Sequence, residues 1–358
     1  MKKFKIKNRI IFVLIIMLIC TNVFMASCIG DNNSASSQTE QEIVLSDETV
    51  VDASGTVLNI PTNPENAKIA SVYGVSVPFI VALGLSDNVV AINTKSIIWN
   101  DNIPAFKNIA SVGQGTIDYE KLAGVNPTVV IHRANDPTSV EGVDRLKIPV
   151  ITIQAELFDS IYSTIDLLAT YFGAQERAVE VKSWIDERMS LIDSIVSDIP
   201  DDEKVSALCM GSTLTRVAGE DMLQTEMIIR AGGKSVVSGV KNFNSWSNLG
   251  TEKIFAMNPD IIFFTSSSVL EYNPEDLLSS PTWQSLDAVG NGKLYSIPAK
   301  IDSWDIPGIS CVLGTFYMLH VMYPERFSKA DLQKQIDDYY NFMFGRTFDA
   351  KYLGYELT

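Results

Sequence analysis

Histidine is nearly absent from this 358-residue chain, which contains only two, His132 and His320. A transition-metal site built from imidazoles needs several of them close together, so the scarcity argues against direct capture of a bare zinc or manganese ion. It argues equally against a conventional hydrolase triad, and no Gly-x-Ser-x-Gly elbow is present. Gly233-Lys234-Ser235 has the ending of a phosphate-binding loop, but Ile228 stands where the leading glycine is required. No two carboxylates form a convincing catalytic pair by spacing. Positive charge is also short, with 28 Lys and Arg against 43 Asp and Glu and a formal net charge of −15. That balance disfavours nucleic acid and anionic lipid surfaces as partners, while leaving room for local positive charge in a cleft. Cysteine is sparse, and Cys209 and Cys311 both fall in apolar runs. They read as buried free thiols, although a disulfide is permissible outside the cell. Beyond the N-terminus no apolar stretch is long enough to cross a membrane.

The N-terminus itself is distinctive. Lys2, Lys3, Lys5, Lys7 and Arg9 precede a short apolar core at residues 10–19, which fits the central region of a signal peptide better than a membrane span. The core leads to Met25-Ala26-Ser27-Cys28, which resembles the lipobox of bacterial lipoproteins, with Met25 where Leu is commoner. Cys20 lacks the small neighbour such a site needs. The resemblance implies cleavage before Cys28 and lipid on its sulfur and new amino group. Residues 1–27 are then a signal peptide, and their removal takes the formal net charge to −20. Residues 28–47 comprise the lipidated cysteine and a polar, small-residue stretch without periodicity, a flexible tether. The expected location is outside the cell, anchored by lipid to the outer face of the cell membrane.

The folded body writes one pattern twice. Glu120-Lys121-Leu122-Ala123-Gly124-Val125-Asn126-Pro127-Thr128-Val129-Val130-Ile131 returns as Glu252-Lys253-Ile254-Phe255-Ala256-Met257-Asn258-Pro259-Asp260-Ile261-Ile262-Phe263. Each copy is a short amphipathic helix ended at Asn-Pro, where proline cannot continue it, followed by an apolar run that reads as a buried strand. Two copies a domain's length apart predict two similar lobes with a cleft between them. Strands at 69–72, 89–92 and 148–153, with helices at 77–83 and 160–172, give the first lobe, residues 48–173. The second lobe, residues 201–358, restarts at 205–210 and continues through 261–265 and a late strand at 293–298 to helices at 307–322 and 329–344. Between them an uninterrupted helix at about 174–196, within a connecting segment 174–200, places Val181, Trp184, Ile185, Met189, Ile192 and Ile195 at helical spacing. The fold class is therefore α/β: two Rossmann-like lobes with mainly parallel sheets joined by one long α-helix. Such a connector allows only small closure.

In this order the motifs resemble the substrate-binding lipoproteins of bacterial ABC importers for ferric siderophores, haem and cobalamin. The carriers are Asp52-Ala53-Ser54-Gly55 with Ile60-Pro61-Thr62-Asn63-Pro64, then Ala82-Leu83-Gly84-Leu85-Ser86-Asp87, both Asn-Pro repeats and Glu226-Met227-Ile228-Ile229-Arg230-Ala231-Gly232-Gly233. Trp283, Ala288-Val289-Gly290-Asn291-Gly292-Lys293-Leu294-Tyr295 and residues 307–325 complete them. The resemblance implies a binding protein and not an enzyme, with no cofactor of its own, acting as a monomer. Its expected partners are an ABC permease with its ATPase, a small-molecule metal chelate, and the membrane through the lipid anchor. It further implies one acidic residue per lobe for docking on the permease. Glu226 matches that position in the second lobe, while Pro78 replaces the expected acid in the first. A ferric siderophore is the first expectation for cargo. Cobalamin or haem, molybdate or tungstate, and a surface adhesin or sensor role without transport are the alternatives.

Ligands of α/β sheets bind beyond the carboxyl ends of the strands. That rule nominates Tyr73, Lys95 and Trp99, then His132 and Arg133, in the first lobe. From the second lobe it nominates Arg216, Trp246, Ser266 and Trp304. Arg133 and Arg216 are attractive as a guanidinium pair for the anionic oxygens of a chelate, with Tyr73, Trp99, Trp246 and Trp304 as aromatic surface. His320, inside an apolar helix, is expected to be structural.

Overall fold

The computed structural model describes residues 45–349 and 353, apart from 95, 97, 98 and 100–102. Cys28, Lys95 and residues 29–44 of the expected tether therefore lie outside the described residues, while its last three residues, 45–47, belong to a strand and not to a tether. A two-stranded antiparallel hairpin, β1 (Leu45–Val51) and β2 (Val57–Pro61), opens the described chain. It is tied to the first lobe where buried Asp52 accepts hydrogen bonds from the backbone N–H of Ser54, Thr56 and Thr152.

The first sheet consists of β3 (Ile69–Ser71), β4 (Val89–Ile92), β5 (Ala110–Ser111), β6 (Val129–Arg133) and β7 (Val150–Ile153). Its order is β5-β4-β3-β6-β7 and every pairing is parallel. Helices α1 (Ser76–Ala82), α2 (Tyr119–Gly124), α3 (Pro137–Asp144) and α4 (Phe158–Phe172) connect and cover it. Strands buried on both faces explain the near-continuous apolar runs.

Helix α5 (Gln175–Val196) follows α4 after the left-handed Gly173 and leads to the second lobe. Its buried face, Ala178, Val181, Trp184, Ile185, Met189 and Ile192, follows the predicted stripe. At about 1.5–3 kcal/mol for each large apolar side chain buried, that stripe fixes the helix firmly.

The second lobe contains β8 (Ser206–Met210), β9 (Arg216–Val217), α6 (Leu223–Arg230), β10 (Lys234–Ser235) and β11 (Ser247–Asn248). It continues with α7 (Thr251–Met257), β12 (Ile261–Phe264), α8 (Pro274–Ser279), α9 (Asp287–Gly290) and β13 (Leu294–Ser296), then α10 (Cys311–Met322) and α11 (Lys329–Phe344). Strands β10, β8, β12 and β13 run parallel in that order, and β9 and β11 are added antiparallel. The order β10-β8-β12-β13 repeats β4-β3-β6-β7, so the lobes are topological copies. Their equivalent strands β6 and β12 are the ones that follow the Asn-Pro repeat.

The repeat has a structural cause. Asn126 and Asn258 both take left-handed backbone, φ 47° and 40°. Each thus leaves the right-handed helical region at the residue before proline, as expected, and asparagine tolerates the left-handed turn that closes a helix. Two residues on, Thr128 accepts a hydrogen bond from the N–H of Lys68, just before β3, at 2.8 Å, and Asp260 one from the N–H of Ser206, the first residue of β8, at 2.9 Å. One short phrase thus ends a helix, turns the chain and sets strand register in both lobes.

The lobes are also joined through the C-terminus. Trp184 of α5 stacks on Phe342 of α11, and Trp99 of the first lobe stacks on Phe344. Cys209 on β8 and Cys311 on α10 are buried free thiols. His320 Nδ1 bonds the Phe327 carbonyl at 2.8 Å. No helix among the described residues is long and apolar enough to cross a membrane.

Candidate functional site

Parallel strands aim their carboxyl ends at the gap between the lobes. A cavity of about 450 Å³ lies there, walled by both lobes. Tyr73 enters it just past β3, Asn93 past β4, and His132 with Arg133 from the last turn of β6. Trp99 adds an indole face, largely buried against Phe344. From the second lobe come Ser266, two residues past β12, and Asp302 and Ser303 from the loop between β13 and α10.

His132 is the unusual member. It is 4% exposed, and neither ring nitrogen has a hydrogen-bond partner. Asp136 Oδ2 stands 3.4 Å from its Nε2, but without hydrogen-bond alignment. Burial holds the imidazole pKa below its ordinary value, Asp136 opposing and Arg133 assisting, so the ring is neutral at neutral pH. Tyr73 presents its ring edge to His132 at 6.5 Å between centroids. Its phenol is pushed up to about 12 by burial and by the Glu156 charge, which keeps it a proton donor.

Arg133 is half-exposed at the mouth, with Nη2 3.0 Å from Asp136 Oδ2. Asp136 is also the N-cap of α3, accepting from Ser139 N–H at 3.2 Å and Ser139 Oγ–H at 2.9 Å. Burial opposes its ionisation, but the Arg133 and Ser139 hydrogen bonds outweigh burial and hold it at about 2. Asp302 is 4% exposed and pushed up to about 7 by burial, against a 2.6 Å hydrogen bond donated by the Tyr339 hydroxyl. Ser266 contributes wall rather than a free hydroxyl. Its Oγ–H and N–H both go to the fully buried Asp305 carboxylate, which Thr265, Ser303 and Gln224 also donate to.

A second, more open compartment of about 960 Å³ holds Arg216 and Trp246, facing Gln154, Glu156 and Asp159 of the first lobe. The Trp246 ring sits on Gly211, where a Cβ would come within 2.7 Å of it. Burial raises the Glu156 carboxyl above its usual range. The expected pairing of Arg133 with Arg216 is corrected: Arg133 lines the first compartment, and Arg216, at the start of β9 beside the carboxyl end of β8, lines the second. Trp304 lines neither. It is 1% exposed beneath α10 and α11, with its edge to Tyr317 and its indole N–H donated to the Tyr340 hydroxyl at 3.2 Å. Of the sequence candidates the structure therefore brings together Tyr73, Trp99, His132, Arg133 and Ser266. Asn93, Asp136, Asp302 and Glu156 were not anticipated. Asn93 carried the strand-end signal, following the strand at 89–92 directly, and Asp136 carried another, as an Asp-Pro helix start four residues after His132.

Both positions that the resemblance marks for docking, Pro78 and Glu226, meet the opposite lobe. Pro78 is buried on α1, and a Cβ on Gly308 would lie 3.2 Å from it. Glu226 Oε2 accepts the N–H of Phe158, the first residue of α4, at 2.9 Å. Its Oε1 pairs with Arg230 at 2.7 Å, and the Arg230 guanidinium lies 4.6 Å over the Phe158 ring. A permease arginine reaching Glu226 would have to displace Arg230.

Comparison with known proteins agrees with this architecture. A family model described as "Periplasmic binding protein" matches residues 69–301. The chain is 22% identical to the Fe(3+)-citrate-binding protein YfmC of Bacillus subtilis over 306 residues, 83% of this chain and 91% of that protein. It is 23% identical to the molybdate-binding protein MolA of Haemophilus influenzae over 265 residues, 66% of this chain and 73% of that protein. Among solved structures, Helicobacter pylori CeuE with Ni(II) bound superposes with a TM-score of 0.71 at 19% identity, covering 85% of this chain and 98% of that one. The chain belongs to the periplasmic binding protein family. It is an extracytoplasmic solute-binding protein of an ABC importer and not an enzyme.

Proposed function

We propose that the protein is a lipid-anchored receptor that captures a compact metal complex, a ferric chelate of the siderophore type, and delivers it to the permease and ATPase of its importer. The observation that carries this reading is the interlobe cavity of about 450 Å³, at the small end of ordinary ligand sites. Its wall mixes a phenol, an indole face, hydroxyls and one guanidinium. A ferric chelate presents ligand oxygens outward from an apolar frame, and such a wall complements it with donors and aromatic surface. Cobalamin is too bulky for this compartment alone. Cys28 holds the receptor at the membrane in this reading.

The test is thermal unfolding of the protein with ferric siderophores, ferric citrate, haem, cobalamin and molybdate. A ligand at a hundred times its Kd stabilises by about 2.7 kcal/mol, which is readily seen as a rise in Tm. A shift with ferric chelates alone supports the reading. A shift with molybdate alone makes the cargo an oxyanion, and a shift with cobalamin or haem alone refutes the compact-chelate assignment.

A further inference from the structure

Two buried ionisable groups face the cavity from opposite lobes: His132, whose nearest opposite charge is the Asp136 carboxylate 3.4 Å from Nε2 and already bonded to Arg133, and Asp302, whose hydrogen-bond donors are neutral hydroxyls. On the first-lobe side, His132 keeps both ring nitrogens without a hydrogen-bond partner while 96% of the residue is out of solvent. The charged and titratable groups around it are Arg133, Asp136 and Tyr73, with Glu156 acting on the Tyr73 phenol. Arg133 and Asp136 are bonded to one another, and Tyr73 stays a neutral donor, so these neighbours leave little net charge. On the second-lobe side, Asp302 is bonded by the Tyr339 hydroxyl and Ser310, with the Cys311 thiol nearby and no cation among the groups that shift it.

Resting on the chelate-receptor reading above, we propose that the cargo is an anion taken up together with a proton, which His132 or Asp302 accepts as the ligand enters the cavity. An anion placed in this low-dielectric space favours imidazolium over imidazole and carboxylic acid over carboxylate. The proton comes from solvent. Bound at His132 it leaves two N–H donors where there was one, and bound at Asp302 it turns an acceptor that repels the ligand into a donor that holds it. The proton returns to solvent when the ligand leaves. Burial of both groups supplies the physical reason: His132 is neutral in the empty protein, and Asp302 is only partly ionised near neutrality. Lowering the pH therefore strengthens anion binding, and raising it through about 7 weakens it.

Calorimetry with molybdate and with ferric citrate, in buffers of unlike ionisation enthalpy, counts the protons directly. The expected result is uptake of between about half a proton and one proton per ligand near neutrality, Asp302 being already partly protonated there, and an affinity that falls as pH rises, most steeply above about 7. His132→Gln and Asp302→Asn should each reduce the count, and a neutral ferric trihydroxamate should take up none. Anion binding without proton uptake, or a count unchanged in both variants, overturns the proposal and leaves the chelate reading standing. Binding of the neutral trihydroxamate but of neither anion does the same. Failure of every probe to bind overturns both.

Discussion

Replacing Glu226 with alanine tests whether the carboxylate joins the lobes. It removes the acceptor for the Phe158 N–H, one of the donors at the N-terminus of α4 with no partner inside the helix. It also strands Arg230, whose guanidinium then keeps only its stacking on Phe158. Loss of an N-terminal cap costs about 1 kcal/mol. The ion pair adds little: its partners are 21% and 33% exposed, and pairs in contact with water contribute about 0.5 kcal/mol. The sum is about 1.5 kcal/mol. At about 2.1 cal/mol/K of unfolding entropy per residue, a folded body of roughly 300 residues moves its melting point about 1.5 °C per kcal/mol, so Glu226→Ala should melt about 2–3 °C below wild type. Glu226→Gln keeps a carbonyl oxygen for Phe158 and loses only the charge, so it should fall about a third as far. Differential scanning calorimetry of the three proteins decides the matter. A Glu226→Ala protein that melts with wild type would refute the cap and return the carboxylate to solvent.

Other outcomes follow from the same geometry. Asp302 titrates higher in the folded protein than in the unfolded chain, so its contribution to stability is full below the ordinary carboxylate range and disappears as pH rises through about 7. Urea unfolding at several pH values should show that decline in wild type and a flatter profile in Asp302→Asn. Gly314→Ala would normally favour a helix by about 1 kcal/mol, but its Cβ would meet the Trp304 carbonyl oxygen at 2.1 Å and Met227 Cε at 2.3 Å. Overpacking of about 1–3 kcal/mol should win and lower the Tm. Because Arg133 borders the smaller compartment and Arg216 the larger, Arg133→Ala should weaken ferric citrate binding about tenfold in a titration. Arg216→Ala should leave it within about threefold, and the reverse order would move the cargo to the second compartment.

The scaffold was readable because it is built from local rules that repeat. Residues 329–344 carry a helix from Ser328, whose side chain caps it, to Gly345, which ends it in left-handed backbone, and both signals are in the sequence. The Asn-Pro phrase announced the two lobes because the same helix-to-strand turn is needed twice. What local rules do not carry is a partner far along the chain. The hairpin of β1 and β2 is an example, since its anchor is Asp52 holding the N–H of Thr152 a hundred residues on.

The candidate site divides along the same line. Tyr73, His132, Arg133 and Ser266 were found because position after a strand is a local property that points into the cleft. Whether a side chain is free once it gets there is not local. Ser266 reaches the cavity wall but spends its hydroxyl on Asp305, thirty-nine residues away, and Trp304 turns inward because Tyr340 offers its indole an acceptor. Asp302 offered no signal at all, being one aspartate in an acidic chain until burial distinguishes it. Glu226 is the sharpest case. By position it reads as a surface acid on a helix start, yet Phe158 supplies a helix end that needs an acceptor, and that end belongs to the other lobe. Sequence spacing can place a carboxylate on a helix, but the group that meets it is decided by how the two lobes come together.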